Sequence, residues 1–279
     1  MEEFYFLFGL GMLWTVFAVV QDLKKTEVSN WLNFSLIGFG LAYRVFYSIV
    51  NENGMFFVSG LLGFIVFFVL AHGFYYGRAF AGGDAKLLMG FGVILPYSNL
   101  AELLYLGAIF IFLLLFLGAV YSLIYSLFIA AKNKEKFRNK FVKEFRNYWQ
   151  ILVILFILAL MLLFFRMPDL ALFFVLLALL FLLYFYVMAL DVCMIRLIKA
   201  RDLREGDWLE RDVNVGRTLI KKRVHGLSVD EIKMLIRVNK KVLIKAGIPF
   251  TPAFLLALLA MAPFFLISEF WAFLFSFLS

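Results

Sequence analysis

The sequence is poor in charged residues and in cysteine. Only 16% of its 279 residues are charged, whereas soluble domains carry about 25%. The single cysteine, Cys193, excludes an internal disulfide and a two-cysteine zinc site. Hydrophobic residues make up 65% of the chain, and a soluble globule with so few charges could not cover them. Length and composition therefore predict a polytopic membrane protein.

Long apolar runs predict the membrane spans, since about 20 apolar residues cross a bilayer once. A shorter run at 87–97 predicts a short or partly re-entrant fourth span. The first run begins with Glu2 and Glu3 and lacks the basic start of a signal peptide, so we expect it to be retained. We predict an all-α fold, a polytopic membrane helical bundle of about eight spans. The full-length spans are expected at 4–20, 31–50, 55–76, 101–130, 150–165, 170–190 and 253–277.

Lysine and arginine fall in alternate loops. The basic loops are 24–25, 78–86, 132–146 and 196–245, and the loops between them carry one basic residue or none. By the positive-inside rule, the basic loops are cytoplasmic and both termini lie outside. This predicts a multi-pass protein of the cytoplasmic membrane with Asp22 and Asp84 at the same cytoplasmic boundary. In such a protein the net charge of +8 predicts contact with anionic lipids and not with nucleic acid.

Two polar stretches interrupt the apolar pattern. Residues 132–148 alternate basic and aromatic side chains, which predicts a basic amphipathic helix on the inner leaflet. Residues 191–250 form a small basic cytoplasmic segment, with a short strand expected at 208–215 and a helix capped by Ser228 and Glu231. We therefore expect a membrane core at 1–190, this segment at 191–250 and a C-terminal transmembrane helix at 251–279.

Ionisable side chains in or beside membrane spans are costly, and they mark candidate functional positions. For Asp191 and Glu269 we expect solvated boundary roles, and for His72 a packing role. Arg44 is expected to pair with a carboxylate or to reach the outer headgroups. The remaining candidates are Asp22, Asp84 and Lys86.

Asp22 and Asp84 stand apart because each closes an apolar span on the same side. Gly82 and Gly83 precede Asp84, and we expect them to let the backbone leave helical geometry. Hydrolysis of a peptide bond in a bilayer needs such an opening and an activated water. One carboxylate, ionised, would take a proton from water; the other, kept neutral because like charge raises its pKa, would protonate the scissile carbonyl.

Three motifs resemble one family. The run 81–87, Ala-Gly-Gly-Asp-Ala-Lys-Leu, resembles the signature of the GxGD membrane aspartyl proteases and the following x-Lys-Leu of type IV prepilin peptidases. The run 22–30 resembles the first aspartate of that family, its basic residues and the Asn that opens the second helix. Residues 247–252 are similar to its Pro-Phe-x-Pro entry into the last helix. Two departures are Ala81, where the signature has glycine, and the absence of the cysteine-rich domain of methylating bacterial members.

The resemblance implies a membrane-embedded aspartyl endopeptidase with Asp22 and Asp84 as catalytic residues. It would cleave short basic leader peptides from type IV prepilin-like or archaellin-like precursors, without methylation. Expected partners are these precursors and membrane lipids, and no metal or cofactor is expected. Two alternatives stay open: a transporter or channel whose aspartates bind a proton or cation, and an inert anchor for a pilus assembly machine. The substrate-binding or supporting residues are expected to be Gly82, Gly83, Lys86, Glu27 and Asn30.

Overall fold

The structure is a computed structural model that describes residues 2–77, 79–216, 218–223 and 226–266. In this part of the chain the helices are α1 (Glu2–Lys25), α2 (Asn30–Val50), α3 (Gly54–Tyr76), α4 (Gly82–Ile94), α5 (Leu100–Lys132), α6 (Lys134–Phe164), α7 (Pro168–Cys193), α8 (Val229–Arg237) and α9 (Thr251–Leu266). The strands are β1 (Ile195–Lys199), β2 (Trp208–Leu209), β3 (Val213–Val215), β4 (Thr218–Ile220) and β5 (Lys241–Lys245).

Six of the described helices are long and apolar enough to cross a membrane: α1, α2, α3, α5, α6 and α7. Together with the shorter α4 and α9, they fall in the predicted runs, and residues 267–277 of the last predicted span lie outside the described residues. The predicted polytopic helical membrane fold is confirmed. The chain divides into two compact units, Met1–Leu123 with Ile248–Ser279, and Ile124–Gly247.

Helix α4 is the centre of the first unit. It packs against α1, α2 and α3, while α1 also packs against α9. Nine of its 13 residues are buried, and the ring of Phe91 stacks on Phe110 with 4.5 Å between centroids. A Cβ on either Gly63 or Gly92 would overlap the backbone of the other residue. These two glycines therefore let α3 and α4 approach closely, as small residues do in membrane bundles.

Helix α4 is too short to cross a bilayer. Its 13 residues span about 20 Å at 1.5 Å per residue, against a hydrocarbon core of about 30 Å. Its last carbonyl groups thus need partners from elsewhere in the protein. The fully buried Arg44 supplies them, and its guanidinium donates to five acceptors: the carbonyl oxygens of Val93 (2.8 Å), Leu95 (2.8 Å), Tyr97 (3.3 Å) and Phe56 (3.1 Å) and the hydroxyl of Ser59 (3.3 Å).

The expectation that Arg44 pairs with a carboxylate or reaches the outer headgroups is wrong. None of its five acceptors is a carboxylate, and its side chain is 0% exposed. The physical reason is the C-terminal end of α4, where unpaired carbonyls and the helix dipole both attract a cation. The guanidinium also lies over the rings of Phe56 and Tyr97, at 4.7 and 4.5 Å from their centroids, which adds cation–π attraction.

In the second unit the basic stretch at 132–148 does not form a helix of its own on the inner leaflet. Instead α6 continues without a break from Lys134 to Phe164. The sequence of α6 has neither glycine nor proline to end the helix between its basic and apolar halves. The basic stretch is therefore the first half of a helix whose second half is the predicted span, and α6 packs along α7.

The segment after α7 contains more strand than the sequence predicted. Strands β1, β5 and β2 form an antiparallel sheet in that order, and β3 pairs with β4 as a hairpin. The single strand expected at 208–215 is two strands, β2 and β3. The predicted cap of α8 is confirmed: Ser228 and Glu231 form a reciprocal capping box. Side chains from this sheet, from β3 and β4, and from α8 share one small core, which includes Leu209, Ile220, Leu235 and Val242. The domain boundaries predicted at 190 and 250 stay predictions.

Candidate active site

Asp22 lies three residues before the end of α1, and its side chain is buried, with 6% of the residue exposed. Its Oδ2 accepts two hydrogen bonds from Thr251, one from the backbone N–H at 3.1 Å and one from Oγ1 at 2.8 Å. Thr251 is the first residue of α9. The carboxylate therefore lies at the positive end of the α9 dipole, beside an N–H that has no partner within its own helix.

The local sequence explains why Thr251 can donate in this way. Pro252 follows it in the first turn of α9, where the fixed φ of proline suits the helix and its missing N–H costs nothing. Phe250 precedes it and packs its ring against Phe80, with 5.3 Å between centroids. The helix start is thus fixed on both sides, and Thr251 is itself fully buried.

Asp84 is the third residue of α4, and 8% of it is exposed. Ala81, the N-cap residue, offers no side-chain cap, and its backbone N–H interacts with the Asp84 carboxyl. An acidic side chain in the first turn suits the positive end of the helix. The carboxyl group of Asp84 also interacts electrostatically with that of Asp22. The packing of α1 against α4 thus brings the two predicted aspartates together, both out of bulk water.

The sequence predicted that Gly82 and Gly83 let the backbone leave helical geometry, and this prediction is wrong. They are the first two residues of α4, and the described glycines with positive φ are Gly206, Gly216 and Gly226. What Gly83 provides is close contact, because a Cβ at this position would lie 3.5 Å from the backbone nitrogen of Val28. Its carbonyl oxygen accepts a hydrogen bond from Nδ2 of Asn33 at 3.3 Å.

The connection between α1 and α2, residues 26–29, is held against both helices. The backbone N–H and Oγ of Ser29 donate to Oε1 of Gln21 at 3.0 and 2.8 Å, and Thr26 turns the chain with φ of 51°. Glu27 lies in this connection and is exposed. Asn30 follows as the first residue of α2, and its Oδ1 accepts a hydrogen bond from Nζ of Lys86 at 2.7 Å. Two of the predicted supporting residues therefore contact each other.

Three polar residues of this region were not among the site residues predicted from the sequence. Thr251 is the variable position of the Pro-Phe-x-Pro motif, and 229 residues separate it from Asp22, so only the motif could have marked it. Asn33 follows Asn30 by one helical turn, on the same face of α2. Gln21 directly precedes the first aspartate. Among the described residues, no partner binds the buried Oδ1 of Asn33, which leaves an unused acceptor next to Gly83.

The other ionisable candidates lie in different contacts. Nδ1 of His72 is 2.8 Å from the carbonyl oxygen of Phe68 in its own helix, and its ring packs on that of Phe68. Asp191 pairs with Lys245 at 2.7 Å. Glu269 lies outside the described residues. Within the described part of the chain, no group of three or more His, Cys, Asp or Glu side chains is placed to hold a metal ion.

Known proteins resemble the part of the chain that carries the two aspartates. Residues 9–127 match the model of the type IV leader peptidase family. The preflagellin peptidase of Methanocaldococcus jannaschii is 33% identical over 108 residues, which is 39% of this chain and 46% of that protein. The preflagellin peptidase of Methanococcus voltae is 28% identical over 134 residues, 45% of this chain and 57% of that protein.

These matches confirm the family resemblance seen in the motifs. The chain spans about half the length of the curated relatives it matches. The family match includes Asp22 and Asp84 and ends before Thr251. No solved structure matches the chain at a significant level.

Proposed function

We propose, from the premise that residues 9–127 belong to the type IV leader peptidase family, that this chain is a membrane-embedded aspartyl endopeptidase of the GxGD type. Its substrates would be archaellin-like or type IV prepilin-like precursors, from which it removes a short basic leader peptide. The names of the curated relatives, preflagellin peptidases, favour the archaellin-like class. The observation that carries the proposal is the pair of buried carboxyl groups, Asp22 and Asp84, brought together at two helix ends.

We assign different tasks to the two carboxyl groups. Oδ2 of Asp22 already accepts two hydrogen bonds from Thr251, so this oxygen carries no proton, and Oδ1 is the oxygen left for a water molecule. Asp22, ionised, takes a proton from that water as general base. Asp84, protonated, donates its proton to the oxygen of the scissile carbonyl as general acid. As the C–N bond of the resulting gem-diol breaks, one of its hydroxyl groups returns a proton to Asp84, and the amine of the downstream segment leaves with the proton held by Asp22.

The depth of the pair suits a substrate that enters the bilayer. Asp22 is near the end of α1 and Asp84 near the start of α4, so both lie at the ends of apolar helices. A precursor with a polar leader and an apolar helix has its junction at this same level. We place this boundary on the cytoplasmic side of the cytoplasmic membrane, where the basic loops are expected.

The surroundings of the pair would recognise the leader. Lys24, Lys25 and Lys86 give this edge a positive charge that repels a basic leader, while the exposed Glu27 offers a partner of opposite sign. Gly82 and Gly83 present a stretch of backbone without side chains. We assign to Asn30 the task of holding Lys86, through their 2.7 Å hydrogen bond.

A cleavage assay tests this function. The full chain, purified in detergent, is incubated with a leader-bearing archaellin precursor, and mass spectrometry identifies the new amino terminus. Wild-type protein should cut at the end of the leader, whereas Asp22→Asn and Asp84→Asn should not. Asp230→Asn, which changes an exposed carboxylate on α8, is the matched control and should cut normally. Absence of cleavage by the wild type, with a proton flux that both site variants lose, would support the transporter instead.

A further inference from the structure

The sheet formed by β1, β5 and β2 has one covered and one open face. Side chains on the covered face, such as Ile198, Val242 and Ile244, belong to the small core of the segment. Directly opposed residues of paired strands share a face. The register therefore puts the following residues on the opposite face: Ile195, Leu197 and Lys199 of β1, Lys241, Leu243 and Lys245 of β5, and Trp208 of β2.

This open sheet face is apolar at its centre and exposed. Leu197 is 62% exposed and Trp208 is 50% exposed. The two residues leave a large apolar surface in water unless something covers it, and such surfaces mark contact sites for proteins or membranes.

The open sheet face begins at the end of a membrane-spanning helix. Strand β1 starts at Ile195, two residues after the end of α7 at Cys193. The backbone N–H of Ala246 donates to the carbonyl oxygen of Met194 at 3.0 Å, and Lys245 pairs with Asp191 at 2.7 Å. A five-residue strand extends about 17 Å, so no part of β1 can lie far from the membrane boundary at which α7 ends.

The charge of the open sheet face is complementary to an acidic membrane. Lys199 and Lys241 are exposed at its rim, and the three strands contain no Asp or Glu. Glu210, which continues the row after β2, is 3.8 Å from Lys222 and thereby offset. Tryptophan with lysine around an apolar centre is the composition found where proteins meet lipid headgroups.

We propose that the open sheet face rests on the acidic lipid headgroups of the membrane that α7 crosses. Leu197 and Trp208 enter the headgroup layer, and Lys199 and Lys241 bind lipid phosphates. The contact holds the segment between α7 and α9 against the membrane surface. The proposal does not depend on peptidase activity, so it can fail or succeed separately from the function proposed above.

Spin labels measure this contact directly. The buried Cys193 is first changed to alanine, and a single cysteine for labelling is introduced by Leu197→Cys. Leu219→Cys on β4, where the residue is 46% exposed, provides the matched control. The full chain is reconstituted into vesicles of phosphatidylcholine and phosphatidylglycerol. At position 197 we expect oxygen to relax the label several-fold more than a water-soluble nickel chelate, and at position 219 the reverse. Equal access of the nickel chelate at both positions would overturn the proposal.

Lipid charge and lysines form the second arm of the experiment. The protection of the label at position 197 from the nickel chelate should decrease in pure phosphatidylcholine vesicles and in the variant with Lys199→Gln and Lys241→Gln. Lys233→Gln on α8, whose side chain is 64% exposed, should leave it unchanged. If the label at position 197 is protected from the nickel chelate regardless of lipid charge and of both lysines, protein covers this face. If the label is protected only when a leader-bearing precursor is present, substrate covers it. Either result overturns the proposal.

Discussion

The C-terminal end of α4 is buried, whereas the first residues at its N-terminal end are partly exposed. The polar groups at the two ends have opposite arrangements. At the C-terminal end Arg44 satisfies the last carbonyl groups with a fixed set of hydrogen bonds. At the N-terminal end Ala81 provides no side-chain cap, and two carboxyl groups lie together, of which Asp22 is held through one oxygen only. The C-terminal end is therefore closed by hydrogen bonds from one side chain, whereas at the N-terminal end carboxyl groups from two helices lie together.

The largest effect on folding is expected at the C-terminal end. Arg44→Met would leave several buried carbonyl groups without donors, and we expect a loss of about 3 kcal/mol or more in the free energy of unfolding. Thermal unfolding in detergent measures it. Arg138→Met, at an exposed arginine of α6, should change the stability by less than about 0.5 kcal/mol. Equal melting temperatures for the two variants would show that Arg44 does not close the helix end.

At the N-terminal end we expect Thr251→Val to act on the reaction more than on folding. The variant keeps the shape of the side chain and loses the hydroxyl donor to Asp22. A hydrogen bond to a charged group is worth about 1.5–3 kcal/mol. We therefore expect kcat to fall at least about tenfold with KM unchanged, and the variant to remain folded in detergent with a lower melting temperature. Thr251→Ser restores the donor and should recover most of the rate. If serine is as slow as valine, the hydroxyl is not what positions Asp22.

Gly83→Val should have a smaller effect, again on activity more than on stability. The glycine lies in α4, so valine causes no backbone strain there. A Cβ at this position already lies 3.5 Å from the backbone nitrogen of Val28, and the two methyl groups of valine would crowd that backbone further. Gly83→Ala adds the Cβ alone and improves helix propensity, so it should stay active. Initial cleavage rates of the two variants measure the difference. Equal rates for alanine and valine would mean that the approach of Gly83 to Val28 is unimportant.

The smallest effect is expected at Lys86, which is half-buried and makes an exposed hydrogen bond with Asn30. An exposed hydrogen bond contributes little, and we expect Lys86→Met to change kcat/KM only a few-fold. If the pair acts through this one contact, Asn30→Ala should give the same change, and the double variant no more. An unchanged rate and pH profile in Lys86→Met would make it a boundary lysine that reaches for the lipid headgroups.

The sequence predicted the helices well because apolar runs of span length leave little choice of structure. Asp22 and Asp84 were singled out because their motifs resemble the signature of a family, and their catalytic role stays a prediction. Arg44 was misjudged, since its partners are backbone carbonyls, and these become visible only when α4 ends inside the fold. Thr251 was missed because nothing in the sequence shows that residues 229 positions apart meet.

The short strands after α7 were harder to predict for a different reason. Strands of two or three residues, such as β2 and β3, are too brief to show an alternating pattern. By contrast, the capping box of α8 was predicted correctly because it is encoded within four consecutive residues. Local signals were therefore readable here, while contacts between distant segments were not.

We propose that Asp22 and Asp84 act as one unit, and a double-mutant cycle measures whether they do. Single-turnover cleavage of a leader-bearing precursor is measured for Asp22→Asn, Asp84→Asn and the variant with both changes. Groups that act together give losses that do not add. We expect each single change to lower the rate by about a thousandfold or more and the double variant to be no slower than either. Losses that multiply in the double variant, or wild-type rates with either aspartate replaced, would contradict the proposal.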